Sequence, residues 1–275
     1  MSRRPALEAE LERAGRLPES GIDLAGTALL LAALDRPRVA LARYREHLGE
    51  LASEARAEFG GGDLAEGAAG LGRLLGERHR YQGDTLTYDD MQNANLMRVI
   101  DRRKGLPVAL GILYLHAARA AGIEATGIAF PAHFLIRLAR GGARAILDPF
   151  AAGRVLQAPE LRELVKRVAG PEGELDPDYV TPVGDREVLL RLQNNILSRA
   201  LGEGRLQRAA EVAERMLLLA PGHALLYREL ALIAARLGNM KRARAAAESY
   251  MALADGPAQA HDAALLLQKL KVSLN

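Results

Sequence analysis

From Val108 to Ala121 almost every position is apolar, with no polar stripe of helical period. A helix apolar on nearly every face is one the fold buries. Pro107 stands at the first turn, where a missing N–H costs nothing, and Gly122 stands where such a helix ends. The period then changes. Thr126–Phe130 reads as a first strand. His133–Leu138 alternate, so Phe134, Ile136 and Leu138 share one face and His133, Leu135 and Arg137 the other. Arg140-Gly141-Gly142 is a hairpin turn signal, and Ala143–Phe150 is the return strand. With Arg140-Gly141 as the loop, His133 lies directly opposite Asp148. With Gly141-Gly142 as the loop, Asp148 is displaced by two residues but keeps its face. Either register sets an imidazole beside a carboxylate, the second and third members of a nucleophile–His–Asp triad.

Ahead of this stretch, residues from about Pro5 to Phe59 read as helices. Asp23 can cap a helix running to Leu34, Asp35-Arg36-Pro37 breaks the chain, and a longer helix spans about Val39–Phe59 up to Gly60-Gly61-Gly62. A further helix, Asp63–Arg78, leads into the polar stretch His79–Asp90. Leu96–Lys104 is a short helix or turn. Behind the hairpin, Gly153–Leu156 is a short strand or turn and Pro159–Val168 a helix, and the Pro-, Gly- and Asp-rich run Gly170–Gly184 reads as a linker.

The remainder repeats. Gly204 and Gly238 stand 34 residues apart, and the same offset pairs Leu192 with Leu226, Ala200 with Ala234, Ala213 with Ala247 and Leu219 with Leu253. That is the tetratricopeptide period, with small residues where paired helices cross. Two repeats are fewer than a self-sufficient array needs, so Ala260–Leu274 is expected to act as a capping helix and the pair to lean on a neighbour, the helical N-terminal region.

Composition narrows the function classes. The chain has 275 residues, no cysteine, and a formal charge of only +3 despite an isoelectric point near 9.3. Disulfides and thiolate metal sites are excluded. Acids are interspersed with bases, and the one basic cluster, Arg102-Arg103-Lys104, has no aromatic platform beside it, so nucleic-acid binding ranks last among the partner classes. The first seventeen residues carry charges where a signal peptide needs an apolar run, and no stretch reaches membrane-spanning length. The expectation is a cytoplasmic protein without a metal or cofactor. His79 lacks partners at ligand spacing and reads as a loop residue. His116 reads as a hydrogen-bonded core histidine.

A buried helix followed by a strand with His and a strand with Asp resembles the transglutaminase-like core shared with papain-fold enzymes. Tyr88-Asp89, Asn93, Leu96, Arg102-Arg103-Lys104-Gly105-Leu106-Pro107, Phe130-Pro131-Ala132-His133-Phe134-Leu135 and Leu147-Asp148-Pro149-Phe150 are more similar still to one bacterial branch, the SirB-type proteins, which add C-terminal tetratricopeptide repeats. That branch usually has Gly where this chain has Ala132. The resemblance implies an α+β, predominantly helical fold. It would have a helical N-terminal part and a transglutaminase-like core with a small antiparallel sheet (residues 1–170). A linker (171–189) and two repeats with a capping helix (190–275) would follow. It also places Asn93 and the basic run beside the would-be active site. Asn93 then either caps the next helix, the commoner use, or lines the cleft with Arg102 or Arg103.

In the active enzymes the resemblance points to, the cysteine lies at the helix start, which here is Pro107 or Val108. Val108, Ala109, Leu110 and Gly111 offer no hydroxyl, amine or carboxylate, so cysteine-type acyl transfer is excluded. Three readings follow, in order. The first is a non-catalytic interaction protein, a pseudoenzyme that takes a protein or peptide at the core cleft and the repeat face. The second is a hydrolase in which His133 and Asp148 activate water. The third is a nucleic-acid-associated regulator.

Overall fold

Twelve α-helices and seven short strands make up the described residues, 4–272, of this computed structural model. The fold is α+β and predominantly helical. By sequence order the helices are α1 (Arg4–Arg16), α2 (Leu24–Asp35), α3 (Ala42–Phe59), α4 (Leu64–Leu71), α5 (Leu96–Arg102), α6 (Pro107–Ala120), α7 (Ala158–Ala169), α8 (Asp185–Gly202), α9 (Leu206–Leu219), α10 (Ala224–Arg236), α11 (Met240–Leu253) and α12 (Gly256–Val272). The strands are β1 (Gln82–Gly83), β2 (Lys104–Gly105), β3 (Glu124–Ile128), β4 (Leu135–Arg140), β5 (Ala143–Asp148), β6 (Arg154–Leu156) and β7 (Pro182–Val183). Two compact units divide the described residues. One contains 4–7 and 18–192, the other 8–17 and 193–272. No helix among them is long and apolar enough to cross a membrane.

The first unit is built around α6. Pro107 occupies its first turn, eleven of its residues are buried, and Gly122 leaves it with φ +70°. Asp23 caps α2 by accepting from the Gly26 N–H at 3.0 Å, and Asp63 caps α4 from Glu66 at 2.8 Å. The helix expected from Asp63 to Arg78 changes pitch at Gly72, where α4 gives way to a π-helical turn through Arg78.

An antiparallel five-stranded sheet, in the order β6-β5-β4-β3-β7, lies against α6. Arg140 pairs with Ala143 and Ile136 with Leu147, so the loop is Gly141-Gly142, the second of the two registers read from the sequence. Both loop residues have positive φ, +58° and +83°, the geometry a two-residue turn of this kind demands and glycine adopts without strain. Arg140 is thereby released to the strand, where its guanidinium donates to the carbonyls of Phe59, Gly62 and Ala121. Phe59 ends α3, and Ala121 immediately follows α6. Ile136, Leu138 and Leu147 are fully buried, while the opposite sheet face carries Ile128, Leu135 and Leu156, which pack with Leu161 and Val165 of α7.

Strand boundaries differ from the sequence reading, and the return strand expected to reach Phe150 ends at Asp148. Thr126–Phe130 and His133–Leu138 were the expected strands, whereas β3 starts at Glu124 and β4 only at Leu135. Residues 129–134 form the bend between them. The Pro- and Gly-rich run Gly170–Gly184 contains a 3-10 turn, Pro177–Val180, and β7, which pairs with β3. Tyr179 and Val180 pack on the α7-side core, so side-chain burial ties down a segment whose composition reads as a linker.

In the second unit the 34-residue period recurs in the backbone. Gly204 and Gly238 both have positive φ. Ala200 and Ala234 accept from Arg205 and Asn239, each pair closing a helix end in the same way. Residues 8–17, most of α1 and the residue after it, belong to this unit. Gly15 lies so close to α9 that a Cβ there would sit 2.0 Å from the Leu218 carbonyl oxygen.

Candidate functional site

His133 is presented by the bend rather than by the strand. Its N–H donates to the Phe130 carbonyl at 3.0 Å, and Ala132, just before it, takes a left-handed conformation with φ +50°. Phe134, just after it, is fixed by two glycines. A Cβ on Gly111 of α6 would meet the Phe134 ring at 2.4 Å, and one on Gly127 of β3 at 2.7 Å. With the ring held in that slot, the imidazole is carried to the sheet end, where its Nε2 lies 2.9 Å from Oδ1 of Asp148.

Asp148 closes β5 and caps the 3-10 turn Pro149–Ala151. The same Oδ1 accepts from the N–H groups of Phe150, at 2.9 Å, and Ala151, at 3.3 Å. The carboxylate is thus fixed by backbone before the imidazole reaches it. Asp148 is buried and the His133 side chain 17% exposed. Nδ1 of His133 has no hydrogen-bond partner among the described residues, which leaves one ring nitrogen for an incoming group.

The start of α6 reaches this pair through β1 and β2. Gly105 pairs with Gly83, and the Phe150 ring covers Gly83, where a Cβ would lie 2.5 Å from ring carbons. Phe150 meets His133 edge-on at 6.1 Å and Tyr88 at 5.9 Å. The Leu106 N–H donates to the carbonyl of Asn93 at 2.9 Å, tying the approach to the helix. No side chain from Pro107 to Gly111 bears a nucleophile.

Asn93 does not cap the next helix. Asn95 does, accepting from the Arg98 N–H at 3.1 Å; two asparagines stand within reach of one helix start, and the chain uses the second. Asn93 is fully buried. Its amide donates to the Thr87 carbonyl at 2.6 Å, and its oxygen accepts from Arg102 at 2.8 Å. Arg102 also donates to Asp84 at 2.7 Å. Burial alone would raise the Asp84 pKa, but bonds from the Thr87 N–H and hydroxyl and from Arg102 outweigh it and hold the carboxylate well below its usual range. Asn93 and Arg102 therefore brace the Asp84–Asp90 loop. Arg103 turns elsewhere, with φ +59°. Its guanidinium stacks over Tyr81 at 4.7 Å and bonds His47 Nε2 at 2.8 Å.

A family model described as the transglutaminase-like superfamily matches residues 42–194, more than half of the sequence. The chain belongs to the transglutaminase-like superfamily. A tetratricopeptide repeat model matches residues 196–270. Among relatives, a UPF0162 protein of Xylella fastidiosa is 34% identical over 188 residues, covering 67% of each chain. A UPF0162 protein of Pseudomonas aeruginosa is 32% identical over 224 residues, 78% of this chain and 82% of that one. These are SirB-type relatives. F-box only protein 21 of Homo sapiens is 28% identical over 139 residues, 48% of this chain and 21% of that protein. No solved structure matches.

Two further residues of this transglutaminase-like core sit at the pair, and no sequence pattern points to either. Arg191, on α8, donates to the carbonyls of Phe130 at 3.2 Å and His133 at 2.6 Å, pinning both ends of the bend. Burial pulls its guanidinium below the usual pKa, against the pull of Glu187 and Tyr88. Arg191 is 58 positions from His133, and no local pattern links the two. Tyr114 of α6 has a buried hydroxyl without a partner, its pKa pushed up by burial and by the charge of Asp148. His116 bonds the Leu48 carbonyl at 2.9 Å and His79 bonds Glu54 at 3.0 Å. No group of three or more His, Cys, Asp or Glu side chains among the described residues could hold a metal ion.

Proposed function

We propose that this chain is a non-catalytic interaction or regulatory protein of the cytoplasm, in which the transglutaminase-like core binds a protein or peptide segment beside His133 and Asp148. Two observations support this reading together: His133 is oriented by Asp148, and Pro107-Val108-Ala109-Leu110, where the active enzymes of the superfamily would carry their cysteine, offers no nucleophile. Supporting it, Leu86 is 86% exposed and Tyr88 40% exposed on the loop braced by Asp84, next to the Phe150 ring. An apolar rim of this kind suits a side chain of a partner better than it suits water. The repeat unit offers a second surface, a cavity of about 510 Å³ where Glu8, Glu12 and Glu214 surround Leu217, Leu218 and Tyr227.

Selection of a displayed peptide library against the intact chain tests the reading. Peptides should be enriched whose binding is lost in the double variant Leu86→Glu, Tyr88→Ala. Equal enrichment on that variant would overturn it. The second reading, water activation by His133, is favoured by its unpartnered Nδ1. It predicts ester or amide hydrolysis that disappears in His133→Ala, and activity surviving that substitution would remove it.

A further inference from the structure

The α7 side of the sheet holds a cavity of about 310 Å³, lined by Arg137, Arg144, Ile146, Leu156, Leu161 and Val180 among others. Arg137 pairs with Ile146 across β4 and β5, so the two share a face. Arg144 is two residues from Ile146 along the same strand and shares that face too. The guanidiniums of Arg137 and Arg144 therefore rise as diagonal neighbours, within reach of a single small group.

Neither has a hydrogen bond or ion pair among the described residues. The acid nearest in sequence to this rim, Glu160 on the first turn of α7, is already engaged by the Gln157 N–H at 2.8 Å and by Arg154 at 3.6 Å. No carboxylate lines the cavity. Thr126, directly across from Arg137 on β3, has a buried hydroxyl without a partner. The lining carries two cations and one neutral amide, Gln157, and no anion, above a floor where Leu156 and Leu161 are buried. Two like charges side by side repel, and the fold offers them no compensation. A planar fork matches a carboxylate or phosphate in bidentate fashion.

We propose that this cavity binds a small amphiphilic anion, a phosphate or carboxylate carrying an apolar body of about ring size. The head group bridges Arg137 and Arg144, and the body lies on Ile146, Leu156 and Leu161. The volume is at the lower end of small-ligand sites, which disfavours a folded partner or an extended chain. The site is separate from the rim around His133 and does not depend on the interaction reading.

Calorimetric titration of the intact chain with phenyl phosphate, phenylacetate, inorganic phosphate and benzyl alcohol tests the proposal. Phenyl phosphate or phenylacetate is expected to bind saturably with Kd of about 1 mM or below. Arg137→Gln and Arg144→Gln are each expected to weaken it about tenfold or more, the loss of a charged hydrogen bond. Both residues are partly or fully exposed, so the variants should fold, and unchanged circular dichroism checks this. Inorganic phosphate binding as tightly as phenyl phosphate would overturn the apolar half of the site. Benzyl alcohol binding equally well would overturn the charged half. Absence of saturable binding by either anion, or a tighter acidic peptide that displaces both, would overturn the proposal as a whole.

Discussion

Ala132 has a backbone conformation that costs an L side chain about 1–2 kcal/mol, and it holds that conformation one residue before the imidazole. Glycine would remove the clash while adding unfolded-state entropy. Ala132→Gly is therefore expected to raise stability by about 0.5–1 kcal/mol, read as a higher urea midpoint. A second residue-scale prediction concerns His47. Burial lowers its pKa, outweighing Glu50, and Arg103 and His79 add to the shift. Its Nε2 accepts from Arg103 and faces the Tyr81 hydroxyl at 2.7 Å, so protonation there breaks a bond. The unfolded chain then takes up this proton at a higher pH than the folded chain. The contribution of His47 is complete above about pH 6.5 and declines as the pH falls through the window below it. Urea midpoints measured between pH 7.5 and 5 should fall less steeply for His47→Gln. An identical slope would mean that other groups dominate.

At the scale of elements, the slot for Phe134 governs where β4 begins. Gly111→Ala would place a methyl 2.4 Å from the ring, and overpacking of this kind costs about 1–3 kcal/mol. The variant should lose stability by that amount in denaturant titration. It should also perturb the His133 ring resonances, since the imidazole follows Phe134 directly. Elements set by local chemistry were legible in the sequence. Pro107 and Gly122 bracket α6, Asp23 caps α2, and the 34-residue spacing of Gly204 and Gly238 marks repeat helix ends that close through the same bonds. The hairpin was legible except for its loop, because both Arg140-Gly141 and Gly141-Gly142 contain a residue suited to positive φ. Only the three carbonyls waiting for Arg140 decide between them. The sequence places His133 near Asp148 by strand pairing, whereas the structure makes the contact from the bend that precedes β4. Long-range partnerships left no trace. Arg191 reaches His133 from α8, Asn93 spends its side chain on Arg102 and the Thr87 carbonyl instead of a cap, and β7 hides in a run of loop-forming residues.

For the whole molecule, residues 8–17 are grouped with the repeats, and two repeats alone are fewer than a self-sufficient array needs. Leu11 is fully buried, and Gly15 admits α1 to the backbone of α9. Gly15→Val would set a branched side chain where even a Cβ falls 2.0 Å from a carbonyl oxygen. The intact variant is expected to lose about 2 kcal/mol or more, with faster amide hydrogen exchange concentrated in residues 193–272. Exchange unchanged there would mean that α1 contributes little to the repeats. The same joining of distant segments sets an order of events during synthesis. Leu218 leaves the ribosome about two hundred residues after α1, at translation rates of about 5–20 residues per second. For roughly ten seconds or more the apolar side of α1 has no partner within its own unit. Completion of that unit is a closure across most of the chain, a slow kind of step, and Leu11 is the side chain that a nascent-chain chaperone would be expected to cover in the meantime.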